Sequence, residues 1–203
     1  EYFDLTHLNM SNGIGLVSPD HLTQAVHKGN MESYYEWYQT HFGFEQVNYF
    51  DIKGKTTGLK SIAMKNHNRE FAVPIVEDND NGQVDTFLKK YNGQGVQHVA
   101  FTTKDIFATI RQLAVNGVEF LAPPPDKYYT QLNDRIKDHG LDIGLLKNYG
   151  ILVDGTNKDD MLLQIFTKPV LGPTFIEVIQ RVGNQGFGEG NFQALFDAIE
   201  GDE

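Results

Sequence analysis

Three residues far apart in the chain have types that together could bind a transition metal. His21 and His98 each lie in a short strand-like stretch, and Glu177 lies among the apolar residues 175–179. A carboxylate buried among apolar side chains is costly unless it is paired or binds a metal. Two neutral imidazoles and one carboxylate on rigid strands leave three octahedral positions open, which is the ligand set that selects non-haem Fe(II).

Each of these residues also has an ordinary structural explanation, and periodicity alone leaves both explanations open. A single strand histidine is more often a hydrogen-bonded structural residue than a ligand, and a lone strand glutamate usually faces solvent or pairs with arginine. The chain has no cysteine, so any metal must be held by His, Asp, Glu or backbone oxygen. The other five histidines stand beside turns or helix ends and are predicted to be solvated: His7, His27, His41, His67 and His139.

A βαβββ pattern that occurs twice would position the three residues. The first unit has strands at residues 21–26, 46–52, 61–65 and 70–76, a helix between Asn30 and Gly43, and a short helix at 84–91. The second has strands at 96–102, 150–154, 161–167 and 174–181, with a helix that Asp105 caps. His21 and His98 fall on the first strand of each unit, about 77 residues apart. This equivalence suggests a site shared between the units.

The pattern divides the chain into a leading linker and two modules. We predict a linker at residues 1–18, a first module at 19–92 and a second at 93–203. The second module contains an insertion at 122–148, with a polar helix through 128–136. A glycine-rich tail resembles a phosphate-binding loop only superficially, because no Lys-Ser/Thr follows it. A glycine hinge before an amphipathic helix at 190–200 instead suggests a lid over a site.

Composition excludes several classes of protein. Acidic residues outnumber basic ones by 27 to 17, giving a formal net charge of −10. No cluster of Lys and Arg provides the basic face that a nucleic-acid binder needs. No apolar run approaches the ~20 residues of a membrane span. We therefore expect a cytoplasmic protein without nucleic-acid or membrane partners, whose acidity serves solubility.

Several motifs closely resemble those of 4-hydroxyphenylpyruvate dioxygenases, in order and with family-like spacing from about residue 19 to 200. They are residues 20–23, 49–54, 95–100, 122–129, 163–169, 175–181 and 186–192. The resemblance is strongest to the bacterial branch. It implies an α+β, vicinal-oxygen-chelate (glyoxalase/dioxygenase-like) fold, in which two βαβββ modules form a half-open barrel around a metal site, followed by a C-terminal helix. Full chains of this family carry a further, metal-free N-terminal pair of modules, so this chain resembles their C-terminal catalytic domain.

The resemblance also implies an activity and a set of site residues. The enzyme would be an Fe(II)-dependent dioxygenase that converts 4-hydroxyphenylpyruvate and O2 to homogentisate and CO2 in tyrosine and phenylalanine catabolism. A homo-oligomer, dimer or tetramer, would be the full-length form. The metal ligands would be His21, His98 and Glu177. Substrate would be met by catalytic Gln97, Gln164 and Asn191, by Ser61 and Gln83, and by the apolar residues Phe166, Phe187, Phe192, Leu195 and Phe196.

One departure from the family pattern leaves a second activity open. The family usually has Asn where this chain has Val76. Hydroxymandelate synthases, which share the iron site, carry an apolar residue there and hydroxylate the benzylic carbon of the same substrate. Phe192 stays with the dioxygenase pattern. Further alternatives are a catalytically silent small-molecule-binding module, a pigment- or haemolysis-associated protein, and a glyoxalase-type isomerase, which would typically use two carboxylates.

Overall fold

All eight predicted strands form one sheet, with helices packed against it. The computed structural model describes residues 13–53, 58–78 and 82–192. The elements are β1 (Leu16–Ala25), α1 (Met31–Phe42), β2 (Glu45–Lys53), β3 (Gly58–Lys65), β4 (Ala72–Asp78), α2 (Gln83–Tyr91), β5 (Gly95–Thr103), α3 (Ile106–Val115), α4 (Asp126–Thr130), α5 (Leu132–Arg135), α6 (Ile143–Tyr149), β6 (Leu152–Asn157), β7 (Asp160–Phe166) and β8 (Phe175–Val182).

The strand order shows that the sheet is built from two copies of one unit. The order is β2-β3-β4-β1-β5-β8-β7-β6. Each unit places its first strand beside its last, in parallel: β1 beside β4, and β5 beside β8. The two first strands pair with each other in antiparallel orientation at the centre. This arrangement confirms the predicted pair of βαβββ modules and the half-barrel fold class.

Local sequence signals explain where the helices of each unit begin and end. The Asp105 carboxylate accepts a hydrogen bond from the Ala108 amide at 3.0 Å and so begins α3. α1 ends at Gly43, whose φ of +65° is the left-handed conformation that glycine adopts without strain. The Asn30 side chain makes no cap on α1. Its amide instead donates to the Gln94 side-chain oxygen at 2.9 Å, which ties α1 to the loop before β5.

Each module has its own hydrophobic core between its helices and its strands. The first core includes Met31 and Phe44 against Met64 and Ile75. The second is larger and packs α3 and the insertion against β6, β7 and β8. Each fully buried aliphatic side chain contributes roughly 1.5–3 kcal/mol to the stability of the folded state. The two cores therefore support the sheet from the helix side, and the strand residues on its opposite face are free to form a site.

The insertion differs from the prediction. Residues 128–136 form no single polar helix but parts of α4 and α5, and Tyr128, Tyr129, Leu132 and Ile136 are all buried. A third short helix, α6, was not predicted; the Asp142 carboxylate caps it at the Leu145 amide. In these short helices the apolar residues are separated by charged ones, so the sequence shows no apolar periodicity that would predict their buried face.

The ends of the described chain also bear on the predicted boundaries. β1 begins at Leu16, inside the predicted linker. The Ser18 amide and hydroxyl both form hydrogen bonds with the Thr102 hydroxyl on the neighbouring strand, which holds this part of β1 on the sheet. Residues 189–192 are helical and begin the predicted C-terminal helix, whose remainder lies outside the described residues. Among the described helices, none has the length and apolar character to cross a bilayer. The division into linker and modules at the stated boundaries stays a prediction.

Candidate metal centre

The strand register brings the three predicted ligands to one face of the sheet. His21 on β1 pairs with Ala100 on β5, and Ala100 pairs in turn with Glu177 on β8. His98 lies two residues before Ala100 on β5, so its side chain points to the same face. Ala100 is fully buried, and its methyl group leaves room between the three larger side chains.

The three side chains converge on one point. Glu177 Oε2 lies 3.3 Å from His21 Nε2 and 3.4 Å from His98 Nε2. One ligand atom from each residue lies within 4.8 Å of the others. All three residues are at most 8 % exposed. Two imidazole nitrogens and a carboxylate oxygen at this spacing fit a single divalent transition-metal ion, and the set suits iron among the first-row metals.

The outer nitrogens of the two histidines have different partners. His21 Nδ1 lies 2.8 Å from a carboxylate oxygen of Asp20. Asp20 also accepts two hydrogen bonds from the Arg181 guanidinium, each of 2.8 Å. His98 Nδ1 lies 3.2 Å from the Gln97 side-chain oxygen. These contacts orient each ring so that Nε2 faces Glu177, as the outer partners of metal-binding histidines do.

The electrostatics of the group suit a cation. Burial alone would lower the pKa of His21, but the Glu177 and Asp20 carboxylates outweigh it and raise that pKa to about 9. Burial alone would raise the pKa of Glu177, but the two imidazoles lower it to about 2. Burial lowers the pKa of His98. The raised pKa favours the protonated form of His21 in the metal-free group, and a bound metal ion would take the place of that proton.

A cavity of about 620 Å³ opens in front of the three ligands. This volume is in the range of small-molecule sites. The predicted substrate residues that line it are Ser61, Gln83, Gln97, Gln164, Phe166, Phe187 and Phe192. Asn191 is buried behind Gln164, to which its amide donates at 2.7 Å, and is not part of the lining. Leu195 and Phe196 lie outside the described residues.

Aromatic rings surround the three candidate metal ligands. The Phe187 ring meets His21 edge to face at a centroid distance of 5.5 Å, and Phe166 meets His98 at 6.1 Å. The cavity residues that were missed in the sequence include Phe50 on β2 and Phe175 on β8, which stacks on His98 at 5.0 Å. Strand parity could have identified Phe175, because it stands two residues before Glu177.

One histidine predicted to be solvated is buried. His139 is 7 % exposed, with its Nε2 at 2.8 Å from the Asn133 side-chain oxygen and its Nδ1 accepting from the Leu141 amide. His139 therefore stabilises the conformation of the insertion through these two hydrogen bonds. His27, His41 and His67 are exposed as predicted, and His7 lies outside the described residues.

The fold and the buried site agree with a family match over more than half of the chain. Residues 18–140 match the family model of the Glyoxalase/Bleomycin resistance protein/Dioxygenase superfamily. The chain belongs to this superfamily.

Within the superfamily, the chain is similar to a particular group of enzymes. It is 47 % identical to the 4-hydroxyphenylpyruvate dioxygenase of Pseudomonas aeruginosa over 95 % of its length, and 45 % identical to the Vibrio vulnificus protein named hemolysin VllY over its whole length. It covers 54 % and 57 % of these two proteins, so it spans about half the length of the curated relatives it matches. These identities confirm the resemblance read from the motifs.

A solved structure supports the fold assignment. A mutant 4-hydroxymandelate synthase from Streptomyces coelicolor matches with a TM-score of 0.77 at 32 % identity, over 92 % of this chain and 55 % of that one.

Proposed function

We propose that this chain is the metal-binding catalytic part of an Fe(II)-dependent dioxygenase that converts 4-hydroxyphenylpyruvate and O2 to homogentisate and CO2. The convergence of His21, His98 and Glu177 beside a large aromatic-walled cavity carries the proposal. The similarity to the Pseudomonas aeruginosa dioxygenase supports the choice of substrate. Because the chain covers only about half of that protein, the activity of the whole protein is part of the proposal.

The proposed metal site depends on three protein ligands rather than four. A bound Fe(II) would supply open coordination positions for a chelating 2-oxo acid and for O2. His21, His98 and Glu177 would hold it from the sheet side, which leaves the cavity side free. The iron itself is inferred from this donor set and from the enzymes that the chain resembles.

The cavity would bind an aromatic 2-oxo acid through separate groups for its two ends. The Gln97 amide stands beside His98 and can orient the 2-oxo carboxylate without competing for the metal. Phe166 and Phe192 would sandwich the aromatic ring, and Phe187 would close the side next to His21. Apolar walls of this kind also keep water away from an oxidising site. Gln164 is engaged by Glu177 and Asn191, so we assign it to holding the ligand set.

The end of the cavity at β3 and β4 favours a second candidate, the 4-hydroxymandelate synthase activity. Ser61 and Val76 are directly opposed across these strands, and both line the cavity. Ser61 is 5 % exposed and contributes the hydroxyl at this end of the cavity. Val76 offers no polar group there, unlike the Asn that the dioxygenases usually carry. The Streptomyces coelicolor synthase is a structural neighbour of the chain.

Product analysis tests both candidates. The protein is reconstituted with Fe(II) without oxygen, 4-hydroxyphenylpyruvate is added, and the products formed on admitting O2 are separated by chromatography. Formation of homogentisate would support the proposed dioxygenase activity. Formation of 4-hydroxymandelate would instead support the synthase activity. Glu177→Ala is the matched control and should give neither product. Bound iron without turnover would favour a silent binding module of the same fold and would overturn the proposed activity.

A homo-oligomer, dimer or tetramer, in the full-length protein and a cytoplasmic location stay predictions from the sequence. The name of the Vibrio vulnificus relative concerns that protein, and no feature of the described cavity points to a haemolytic activity.

A further inference from the structure

A continuous chain of hydrogen bonds runs from the insertion to the metal ligand Glu177. The Tyr128 hydroxyl donates to Asn191 Oδ1 at 2.6 Å, and Asn191 Nδ2 donates to Gln164 Oε1 at 2.7 Å. Gln164 Nε2 then donates to Glu177 Oε1 at 2.8 Å. The other Glu177 oxygen, Oε2, is the one that faces the two histidines. The chain thus ends on the carboxylate oxygen opposite the metal-facing one.

The direction of donation in this chain is determined from the Glu177 end, and at the other end the Asn191 oxygen, at 2.6 Å, is a closer acceptor for the Tyr128 hydroxyl than the Val153 carbonyl oxygen at 3.2 Å. Ionised Glu177 can only accept, so the Gln164 NH2 group must point toward it. The Gln164 oxygen then requires a donor, which is the Asn191 NH2 group, and the Asn191 oxygen in turn requires the Tyr128 hydroxyl. At the far end, the Val153 amide donates to the Tyr128 oxygen at 2.8 Å. Each amide has a single orientation that satisfies both of its neighbours.

Burial makes this chain strong and makes its interruption costly. Tyr128, Asn191, Gln164 and Glu177 are each at most 2 % exposed. Hydrogen bonds in such surroundings are electrostatically stronger than in water and polarise one another, and an unpaired buried group has no solvent to replace its partner. The Arg135 guanidinium lies over the Tyr128 ring at 4.5 Å, which further restricts the tyrosine.

The same residues connect the glycine-rich tail to the site. Gln164 Nε2 also donates to the Phe187 backbone oxygen at 3.3 Å. A Cβ at Gly188 would lie 2.0 Å from Gln164 Oε1, so only glycine allows the tail to approach this closely. The tail that carries Phe187 and Asn191 is therefore packed directly against the side chain that holds Glu177.

We propose that Tyr128 is a positioning residue of the metal centre: through Asn191 and Gln164, its hydroxyl holds the Glu177 carboxylate in the orientation that presents Oε2 to the metal. The inference rests on the proposed function insofar as a metal binds at this site. Tyr128 touches neither the metal ligands nor the cavity, and it acts only through the two amides. Residues that orient metal ligands in this way typically change metal affinity when they are lost.

The neighbouring tyrosine provides a matched control. Tyr129 lies in the same short helix and is 1 % exposed, and its hydroxyl has no hydrogen-bond partner among the described residues. Tyr128→Phe and Tyr129→Phe therefore remove the same atom from equally buried rings, but only the first interrupts the chain to Glu177. Co(II), which reports its ligand geometry through its visible absorption spectrum, is the probe.

The experiment is a Co(II) titration of the wild type and both variants, followed by absorption and by displacement with Fe(II). We expect Tyr128→Phe to weaken Co(II) binding about ten-fold or more and to alter its spectrum. Tyr129→Phe should match the wild type in both respects. Equal Co(II) affinity and spectrum in Tyr128→Phe and wild type would overturn the inference, and so would equal losses in the two variants. A wild type that binds no Co(II) would instead overturn the proposed function.

Two further variants separate positioning from a general loss of structure. In a Gln164→Leu background, Tyr128→Phe should add no further loss of Co(II) affinity, because the chain is already broken between the two residues. Additive losses would mean that Tyr128 acts by another route and would overturn the inference. If Tyr128→Phe does not fold, Asn191→Ala breaks the chain from the tail side and should show the same ten-fold loss; unchanged Co(II) affinity there would overturn the inference as well.

Discussion

The two modules share one strand frame but contribute unequally to the site. In the second module, Glu177 stands on β8 opposite Ala100, two residues along β5 from His98. In the first module, the position equivalent to Glu177 is Pro74, which lies two residues beyond the β4 residue that pairs with His21. The second module thus supplies two of the proposed metal ligands and the first only one. Pro74 instead lines the cavity, so the first module provides an open wall where the second provides a ligand.

Each module also contains a buried glutamate with a different role. Glu177 on β8 faces the cavity and the histidines. Glu77 on β4 is 7 % exposed but faces α1, where it accepts hydrogen bonds from the Gly29 amide at 2.8 Å and the Met31 amide at 3.4 Å. A buried carboxylate in a strand is therefore a proposed metal ligand in one module and binds the start of a helix in the other. Only the face of the strand distinguishes the two.

Removing each glutamate would test this difference most strongly. We expect Glu177→Ala to abolish measurable Fe(II) or Co(II) binding and turnover, since it removes one of three ligands. Glu77→Ala should leave metal binding intact and lower the free energy of unfolding by about 1 kcal/mol, because it removes only the contact with the start of α1. Metal titration and chemical denaturation of both variants measure these effects. Full activity of Glu177→Ala would refute the proposed site.

Introducing the missing carboxylate would make the first module resemble the second. We expect Pro74→Glu to keep or strengthen metal binding, because a fourth ligand would reach the site from the equivalent position. Turnover should fall by about a hundred-fold or more, because the added ligand takes the place needed to bring substrate into a reactive geometry. Co(II) titration and oxygen uptake separate the two effects. Unchanged turnover with normal metal binding would mean that Pro74 does not face the open positions.

The aromatic residues of the cavity allow a smaller comparison between the modules. Phe192 comes from the tail of the second module and Phe50 from β2 of the first. We expect Phe192→Ala to lose about 1.5–3 kcal/mol of substrate binding free energy, or roughly ten- to a hundred-fold, with metal affinity unchanged. Phe50→Ala is the companion variant in the first module and should have a similar effect if both rings contact substrate. A loss of metal in Phe192→Ala would instead indicate a structural role for the tail.

The repeated frame explains how much the sequence could predict. Seven strands lie within three residues of their predicted bounds, because runs rich in apolar and β-branched residues between turn residues mark them. β1 begins five residues earlier than predicted, since residues 17–19 are exposed and carry no alternation. The repeat singled out His21 and His98, and Glu177 stood out because it interrupts an apolar strand, but the ligand role of all three was implied only by the resemblance to the dioxygenases. Their convergence follows from β1 pairing with β5 and β5 with β8, whereas the symmetry suggested only a site shared between the units.

The supporting contacts could not be predicted in the same way. Asp20 adjoins His21 in the sequence, but its partner Arg181 is 161 residues away. Tyr128 lies in a short helix whose buried face is interrupted by charged residues, and its link to Glu177 passes through two amides from other elements. Such contacts depend on the packing of the insertion against β6 and on the path of the tail. Neither has a periodic signal in the sequence.

The pKa values of the two histidines are shifted in opposite directions, and this difference predicts how pH affects the metal-free protein. The pKa of His21, lowered by burial but raised more by Glu177 and Asp20, lies at about 9, above its ordinary value of 6.5. A group whose pKa is raised on folding stabilises the protein fully below its unfolded pKa, and that contribution is lost as pH rises through the folded pKa. His98, whose pKa burial lowers, makes no such contribution in this range. The metal-free protein should therefore lose stability between about pH 6.5 and 9.

Metal binding should reverse this pH dependence, because the ion replaces the proton of His21. We expect the increase in melting temperature on adding Co(II) to grow from pH 6.5 to 9, while the metal-free melting temperature falls. Asp20→Asn removes one of the two carboxylates that raise the His21 pKa and should move the fall to lower pH. Thermal melts of both proteins, with and without Co(II), measure this shift. A metal-free stability that rises across the window would show that His21 is neutral beside Glu177, and that the two modules present their histidines in the same protonation state.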